Sequence, residues 1–252
     1  MKNTQKERYS FSKLSIFQTC KHAYHLRYNE LKKGIGNCFS SYGTLLHSVL
    51  ERHSRGEIDL WDLVDVYKNE FPKAVPEPFP NTAFCPDMRG LYFAQGIDFL
   101  ENFGGYPEVK ILEIESEFEY EVDNWMLNGV MDLVYEDKDG KLIIEDYKSK
   151  SSFKNKKEQA EYARQLYLYA PFIKQKYNRF PDTLRFVMLR KQKQIDIPFS
   201  QTSMNEAIEW AKKTVQGIRE CFDFTPSPNE FFCNHLCNHR QTCEHKPQGE
   251  KV

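Results

Sequence analysis

Residues able to do chemistry are concentrated in an apolar segment near the middle of the chain. In LIIEDYKSK, side chains two apart share one face of a strand, so Asp146 and Lys148 project together beside Leu142 and Ile144. The earlier run NGVMDLV places Asp132 in a similar apolar setting. Burying ionised groups is costly unless a counter-charge or a metal satisfies them. The pattern therefore predicts that Asp132 and Asp146 share one divalent ion.

Two carboxylates from neighbouring strands form a hard oxygen site that suits Mg²⁺ or Mn²⁺. Such an ion holds a phosphate group and lowers the pKa of a bound water. Lys148 can orient that water and stabilise the charge that develops on the phosphoryl oxygens. The site thus predicts phosphodiester hydrolysis. The alternative is that Asp132 ends its strand in solvent, while Asp146 and Lys148 form a surface ion pair.

A second cluster of candidate ligands lies near the C-terminus, in FFCNHLCNHRQTCEHK. Its thiols are Cys233, Cys237 and Cys243. Thiolates at these separations can converge on one soft metal centre, which needs a fourth ligand. For zinc, that ligand could come from the histidines of the same segment: His235, His239 or His245. Cys38, Cys85 and Cys221 are interpreted as packed side chains.

Composition limits the remaining function classes. The 252 residues carry 35 Lys+Arg and 36 Asp+Glu, a formal net charge of −1, so nucleic-acid binding must come from a local patch. KSKSSFKNKK provides such a patch through its lysines: Lys148, Lys150, Lys154, Lys156 and Lys157. With 40% hydrophobic residues, no apolar run near the roughly 20 residues of a membrane span and no signal peptide, we expect a globular cytoplasmic protein without membrane contact.

Periodicity predicts the elements that position these residues. Helices are expected over 11–28, 44–56, 60–71 and 87–103, with Ser12 as the first cap and Cys20 inside the first helix. From Lys110 the period changes to two, which indicates a strand with five alternating glutamates on one face, followed by two strands joined at Asp139-Gly140. A helix over 157–177 with a kink or break at Pro171, two strands and a last helix complete the order. The last helix is expected to begin with a capping box of Ser203 and Glu206.

Several motifs, in family order from about Phe11 to His245, resemble the PD-(D/E)XK nuclease superfamily, in particular its RecB-type branch with the CRISPR adaptation nucleases. GTLLHSVLE resembles the helical histidine motif, GVMD the second motif, IIEDYKSK the D-x-K element and RQLYLYA the Q-x-x-x-Y motif. The resemblance implies metal ligands at His47, Asp132, Asp146 and the carbonyl of Tyr147, and catalytic roles for Asp132, Asp146 and Lys148. It also implies that Gln165 and Tyr169 contact DNA or brace the site.

The same resemblance implies an α/β (α+β) fold with a restriction-endonuclease-like core, a central mixed sheet flanked by helices. We expect a single nuclease domain over 1–252, with a helical region at 11–105, a catalytic core at 108–225 and a cysteine-rich segment at 226–252. Met131 replaces the proline of the superfamily name, and the third-strand acid is Asp rather than Glu. Neither change removes a ligand.

Iron–sulfur members of this branch join an N-terminal cysteine to a C-terminal trio, so the resemblance implies a 4Fe-4S cluster on four cysteines: Cys20, Cys233, Cys237 and Cys243. In the iron–sulfur members, two residues usually separate the first two cysteines of the trio, whereas three separate Cys233 and Cys237 here. Zinc therefore remains the alternative metal. Glu115 resembles a glutamate that often precedes the second motif. The alternation of glutamates favours a solvated strand face, however, and we exclude Glu115 from the predicted site.

The predicted function is that of a metal-dependent DNA nuclease. We expect an exonuclease acting on single strands or free DNA ends in recombination, repair or phage DNA processing. The alternatives are a structure-selective endonuclease and a non-catalytic DNA-binding assembly subunit with a zinc knuckle. The chain contains no Walker A element, so any helicase, recombination or CRISPR partner would be a separate polypeptide.

Overall fold

The computed structural model describes residues 6–247. The chain forms two compact units that interleave in sequence. The terminal unit comprises the described residues of Met1–Asn37, Glu121–Asn128 and Ile208–Val252, and the sheet unit comprises Cys38–Tyr120 and Gly129–Ala207. The single domain expected over 1–252 includes residues 1–5 and 248–252, which lie outside the described residues, and it stays a prediction.

Thirteen helices and strands carry the fold within residues 6–247. In chain order they are β1 (Arg8–Tyr9), α1 (Phe11–Thr19), α2 (Lys21–Tyr24), α3 (Cys38–Ser54), α4 (Leu63–Ala74), α5 (Met88–Glu101), β2 (Lys110–Val122), β3 (Trp125–Glu136), β4 (Leu142–Lys148), α6 (Lys156–Tyr177), β5 (Thr183–Met188), β6 (Lys193–Pro198) and α7 (Gln201–Arg219). A short 3-10 turn lies at Leu60–Asp62, and π-helical turns lie at His25–Asn29 and Phe232–Leu236. Among the residues that the structure describes, no helix has both the length and the apolar character to cross a membrane.

The sheet of the sheet unit is mixed. Strand β4 is antiparallel to β3 and parallel to β5, β5 is antiparallel to β6, and β2 pairs with β3. Tyr147 and Val187 pack on one face with residues of α3, α4 and α5, and Lys148 on the other face reaches α6 through Gln165. The predicted mixed sheet flanked by helices is confirmed. Within the terminal unit, β1 pairs in parallel with the start of β3.

The register between β3 and β4 explains how the two central acids meet. Leu133 lies opposite Glu145 and Val134 lies opposite Ile144, and just beyond the first of these pairs come Asp132 on β3 and Asp146 on β4. Residues directly opposite in a sheet project from the same face. The alternation of β4 therefore turns Asp146 toward Asp132 and turns Glu145 to the reverse face.

The first predicted helix is interrupted. The side chain of Ser10, not Ser12, caps α1 by accepting from the backbone N–H of Lys13 at 3.1 Å. Cys20 has an extended backbone with φ −158° and ψ 109°, and it ends α1 and begins α2. The prediction that Cys20 lies inside one helix is wrong, because a single extended residue separates two helical runs that share one apolar pattern.

Other helix bounds also differ from the predictions. The third helix begins at Cys38 rather than near residue 44. The predicted capping box of the last helix is wrong, because Ser200 accepts from the backbone N–H of Ser203 at 3.2 Å and α7 already begins at Gln201. No break occurs at Pro171, since α6 is one helix that contains it.

Close packing between α4 and α5 leads to a stability prediction. A methyl group added at Gly96 would overlap the phenol ring of Tyr67, which is fully buried. Gly96→Ala gains about 1 kcal/mol of helix propensity, but the overlap costs about 1–3 kcal/mol, so we expect a net loss. Urea unfolding measures the free energy of unfolding of the variant and of the parent. A variant as stable as the parent, or more stable, would contradict this packing.

Candidate metal centre and thiol cluster

Three side chains from three elements of the sheet unit converge beside Asp132, within β3. Nδ1 of His47, on α3, lies 3.5 Å from Oδ2 of Asp132 and 3.8 Å from Oε1 of Glu115, on β2. Their ligand atoms all lie within 4.8 Å of one another, and no other group of His, Cys, Asp or Glu within residues 6–247 is as compact. Nitrogen and carboxylate ligands in this arrangement are suitable for a divalent transition metal or Mg²⁺.

Glu115 is the residue that the sequence reasoning missed. Its φ of +44° is left-handed, which interrupts the strict alternation of β2 and turns its carboxylate toward His47 and Asp132. The guanidinium of Arg55 donates to the carbonyl of Ile114, just before this residue, at 3.0 Å. A non-glycine residue held in this region costs of order 1–3 kcal/mol, and such strain clusters at functional sites. In the sequence, the position of Glu115 ahead of the Asp132 motif indicated a place in the site. The alternation of glutamates along the strand predicted a solvated side chain instead.

Asp146 is buried beside this group, and its charge is only partly satisfied. Nζ of Lys148 lies 2.6 Å from Oδ2 of Asp146 but off the direction of a hydrogen bond, so no described residue donates a well-aligned hydrogen bond to that oxygen. Burial raises the pKa of Asp146 to about 6; the charge of Asp132 adds to this rise and Lys148 opposes it. A buried carboxylate oxygen without an aligned donor is suited to a cation.

The electrostatic balance at this face is negative. Burial alone would lower the pKa of His47, but the nearby charges of Asp132, Glu115 and Asp146 outweigh it and raise that pKa. Burial also raises the pKa of Asp132, although His47 and Lys148 act in the opposite direction. The carboxylates around His47 thus cause its raised pKa, whereas burial causes that of Asp132, and a bound divalent cation would stabilise the ionised acids.

The main chain of Tyr147 joins these side chains. Its N–H donates to Oδ2 of Asp132 at 2.8 Å, and its carbonyl lies 3.1 Å from Nε2 of His47. When Nε2 carries the proton, it donates to this carbonyl, and Nδ1 presents its lone pair toward Asp132 and Glu115. The carbonyl of Tyr147 therefore lies beside the group that includes His47.

On the α6 side, a hydrogen-bonded chain holds the lysine. Nζ of Lys148 donates to Oε1 of Gln165 at 2.8 Å, and Nε2 of Gln165 donates to the hydroxyl of Tyr169 at 2.7 Å. Tyr169 is buried, and its burial raises the pKa of the hydroxyl, which stays neutral. Gln165 therefore contacts Lys148 directly, and Tyr169 is joined to it through Gln165.

The lysines that follow β4 differ in their partners. Lys150 forms a 2.6 Å ion pair with Glu158 and lies 4.7 Å from the ring centroid of Tyr162. The backbone N–H of Lys154 also donates to Glu158, while the side chains of Lys154 and Lys156 extend into solvent. The charge of Lys150 is thus partly offset by Glu158.

The four cysteines implied by the resemblance lie together in the terminal unit. They line one small apolar cavity: Cys20, Cys233, Cys237 and Cys243. All four are free thiols, and Cys20 and Cys237 pack with Ala23. Burial raises the pKa of the Cys237 thiol, and the other three thiols raise it further. The fold therefore gathers cysteines separated by more than 200 positions in the sequence.

The histidines of this segment occupy different settings. His239 is 3% exposed, and neither ring nitrogen has a hydrogen-bond partner among the described residues. His245 lines the thiol cavity, and His235 contacts the ring of Phe231. A tetrahedral zinc ion with bond lengths of about 2.0–2.3 Å requires ligand atoms within about 4 Å of one another. In the part of the chain that the structure describes, no three cysteine or histidine ligand atoms of this segment are that close.

Comparison with known proteins places this geometry in context. A family model of the PD-(D/E)XK nuclease superfamily matches residues 8–244. The structure is similar to that of a proposed exonuclease from Eubacterium rectale, with a TM-score of 0.56 at 13% identity over 98% of this chain and 91% of that chain. The similarity to SSO0001 is weaker, with a TM-score of 0.42 at 12% identity over 97% and 89% of the two chains. No curated protein gives a significant match to the sequence.

The geometry predicts that Glu115 contributes to metal affinity. Glu115→Gln should weaken Mn²⁺ binding at least about tenfold, because even the partners of metal ligands typically contribute 10–100-fold. Isothermal titration calorimetry measures the affinity. The matched control is Glu117→Gln, at an exposed position two residues along the same strand. Equal Mn²⁺ affinities for the two variants would remove Glu115 from the site.

Proposed function

The chain belongs to the PD-(D/E)XK nuclease superfamily, and we propose that it is a metal-dependent deoxyribonuclease that acts as an exonuclease on DNA with free ends or on single strands. One observation supports this proposal above all others. The carboxyl groups of Asp132 and Asp146 share one face of the sheet, and the ammonium of Lys148 lies beside Asp146. Family members generally use divalent metals, and this face has the donor set for one.

In the proposed mechanism, Asp132, Asp146 and the carbonyl of Tyr147 would hold Mg²⁺ or Mn²⁺ together with His47 and Glu115. When bound, such an ion would supply a lowered pKa for water at the site and offset negative charge on the phosphate. His47 supplies a borderline nitrogen ligand that makes Mn²⁺ competitive with Mg²⁺. Lys148 orients the attacking water and donates to the phosphoryl oxygen as its charge grows.

The support of Lys148 follows from its contacts. A free lysine side chain loses much rotational freedom when it is fixed, and that loss is smaller when its position is already set before the reaction. Asp146 and Gln165 hold the ammonium from two sides, and Tyr169 holds Gln165. We propose that this series of hydrogen bonds fixes the ammonium of Lys148 on the face of the sheet that carries Asp132 and Asp146.

We further propose that the DNA backbone passes the segment after β4. Lys150 and Lys154 lie in this segment, next to the N-terminus of α6, where backbone amides also favour a phosphate. Lys154 extends its charge into solvent, whereas Lys150 must share its charge with Glu158. A cytoplasmic setting, a role in recombination, repair or phage DNA processing, and helicase or CRISPR partners stay predictions.

A cleavage assay tests the proposal. End-labelled linear DNA should be shortened in the presence of Mg²⁺ or Mn²⁺, while closed circular DNA should resist. Asp146→Ala and Lys148→Ala should each lower the rate at least about a hundredfold, because one removes a metal ligand and the other a stabilising cation. Product lengths on a denaturing gel measure the rate and the dependence on ends.

The matched control is Lys138→Ala, which removes an exposed lysine in the turn between β3 and β4. It should cleave like the parent. Cleavage of closed circles would replace the exonuclease with a structure-selective endonuclease. Full metal-dependent cleavage by Asp146→Ala or Lys148→Ala would remove the proposed site.

For the thiol cavity we propose a 4Fe-4S cluster bound by its four cysteines: Cys20, Cys233, Cys237 and Cys243. All four thiols line one cavity, and four cysteine thiolates are the usual ligand set of such a cluster. A centre that joins Cys20 to Cys243 closes a loop over most of the chain and restricts the unfolded state. Its proposed role is therefore structural.

The colour of the purified protein tests this assignment. Anaerobically purified protein should be brown, and Cys243→Ser should lose the colour and the bound iron because one ligand is removed. Absorbance and metal analysis measure both. Cys85→Ser, whose thiol lies outside this cavity, is the matched control and should keep the colour. Colourless parent protein with one zinc ion per chain would favour the zinc knuckle instead.

A further inference from the structure

The reverse face of β4 carries a buried carboxylate that the proposed reaction does not use. Glu145 is 1% exposed, and alternation turns it away from its neighbour Asp146. Both of its oxygens accept hydrogen bonds from phenols. Tyr106 donates to Oε1 at 2.5 Å, and Tyr135 donates to Oε2 at 3.0 Å.

Glu145 belongs to a row of polar groups that crosses the sheet. The strand register sets Glu145 opposite Arg185, and Arg185 opposite Asp196. Arg185 donates to the hydroxyl of Tyr135 at 2.8 Å. It also donates two hydrogen bonds, of 2.6 and 2.7 Å, to the carboxylate of Asp196. This row lies one residue along β4 from the position of Asp146.

At its other end the network reaches Tyr147. The hydroxyl of Tyr106 contacts the hydroxyl of Tyr147, whose ring is buried on the same reverse face. Glu145 and Tyr147 are the two residues on either side of Asp146, so the network fixes β4 on both sides of that acid. The main chain of Tyr147 is the part that binds Asp132 and lies beside His47.

An acid at this position is not explained by packing. An apolar residue of similar volume would avoid the desolvation of a charge, and such replacements of buried ionic groups are often neutral or stabilising. A buried hydrogen-bond network whose members all have partners holds the groups that it joins in one fixed arrangement.

We propose that Glu145 is a positioning residue: held by Tyr106 and Tyr135, it sets the β4 backbone so that the carboxylate of Asp146 and the carbonyl of Tyr147 stand at the spacing that a divalent ion requires. This inference rests on the proposed function of the opposite face. Outer partners of metal ligands usually act in this way, by orienting atoms that contact the metal. Here the coupling runs through the backbone of one strand.

The test compares Glu145→Gln and Tyr135→Phe with the parent. Glutamine keeps the shape, but its amide nitrogen is a donor and cannot accept from a phenol, and phenylalanine removes one hydroxyl. Each variant should bind Mn²⁺ about tenfold more weakly by calorimetry. The Mn²⁺ concentration for half-maximal cleavage should rise by the same factor, and cleavage at saturating Mn²⁺ should recover.

Tyr67→Phe is the matched control, because it also removes a phenol hydrogen bond inside the sheet unit, from Tyr67 to the carbonyl of Phe93. It should lower thermal stability without changing Mn²⁺ affinity. If Glu145→Gln and Tyr135→Phe also lose only stability and bind Mn²⁺ like the parent, the network is purely structural and the proposal is overturned. Should Glu145→Gln fail to fold, Tyr135→Phe, which keeps the carboxylate, decides between the two results.

Asp146→Ala in the same calorimetric titration separates this inference from the function on which it rests. If Asp146→Ala binds Mn²⁺ as tightly as the parent, the metal site itself is refuted, and the role of Glu145 is refuted with it. If Asp146→Ala loses binding while both network variants retain it, only the role of Glu145 is refuted.

Discussion

Two carboxylates of like charge, Asp132 and Asp146, lie side by side on neighbouring strands, and Asp146 is buried. This repulsion is the constraint on which the rest of the sheet unit depends. Three carboxylates, those of Asp132, Glu115 and Asp146, surround His47 and raise its pKa, and burial raises the pKa of Asp132 and of Asp146. Sheets do not place acids in this way for stability, because desolvation and repulsion both oppose folding. The arrangement makes physical sense as a site for a cation.

The strand that carries Asp146 is supported on both of its faces. On the side of α6, Lys148 donates to Gln165, which donates to Tyr169, and on the reverse side Tyr106 and Tyr135 donate to the carboxylate of Glu145. The left-handed turn of the chain at Glu115 adds a third support from β2. A site whose ligands are fixed before the ion arrives loses less conformational entropy on binding, which is the usual physical basis of preorganised sites.

Much of this arrangement was predictable from the sequence, because it depends on short-range rules. The period of two along LIIEDYKSK separates Asp146 and Lys148 from Glu145 and Tyr147, and the turn at Asp139-Gly140 joins the strands that carry the acids. The mixed sheet flanked by helices also agrees with the resemblance. The spacing of the C-terminal cysteines indicated a cluster, although only the resemblance linked it to Cys20. The roles of the site residues stay predictions.

The features that the sequence did not reveal depend on tertiary contacts. Glu115 leaves the alternation because one residue adopts a left-handed backbone, next to a carbonyl held by Arg55. The helix break at Cys20 and the cap at Ser200 arise from single backbone conformations that periodicity does not encode. The phenols that hold Glu145 come from β3 and from the loop before β2, so their convergence follows only from the folded sheet.

Diffraction from crystals grown with Mn²⁺, measured at the manganese absorption edge, tests the central claim most directly. The account predicts an anomalous peak within bonding distance of the carboxylates of Asp132 and Asp146 and of the carbonyl of Tyr147. It would be contradicted by crystals in which Mn²⁺ binds only elsewhere on the chain and Asp146 remains paired with Lys148 alone.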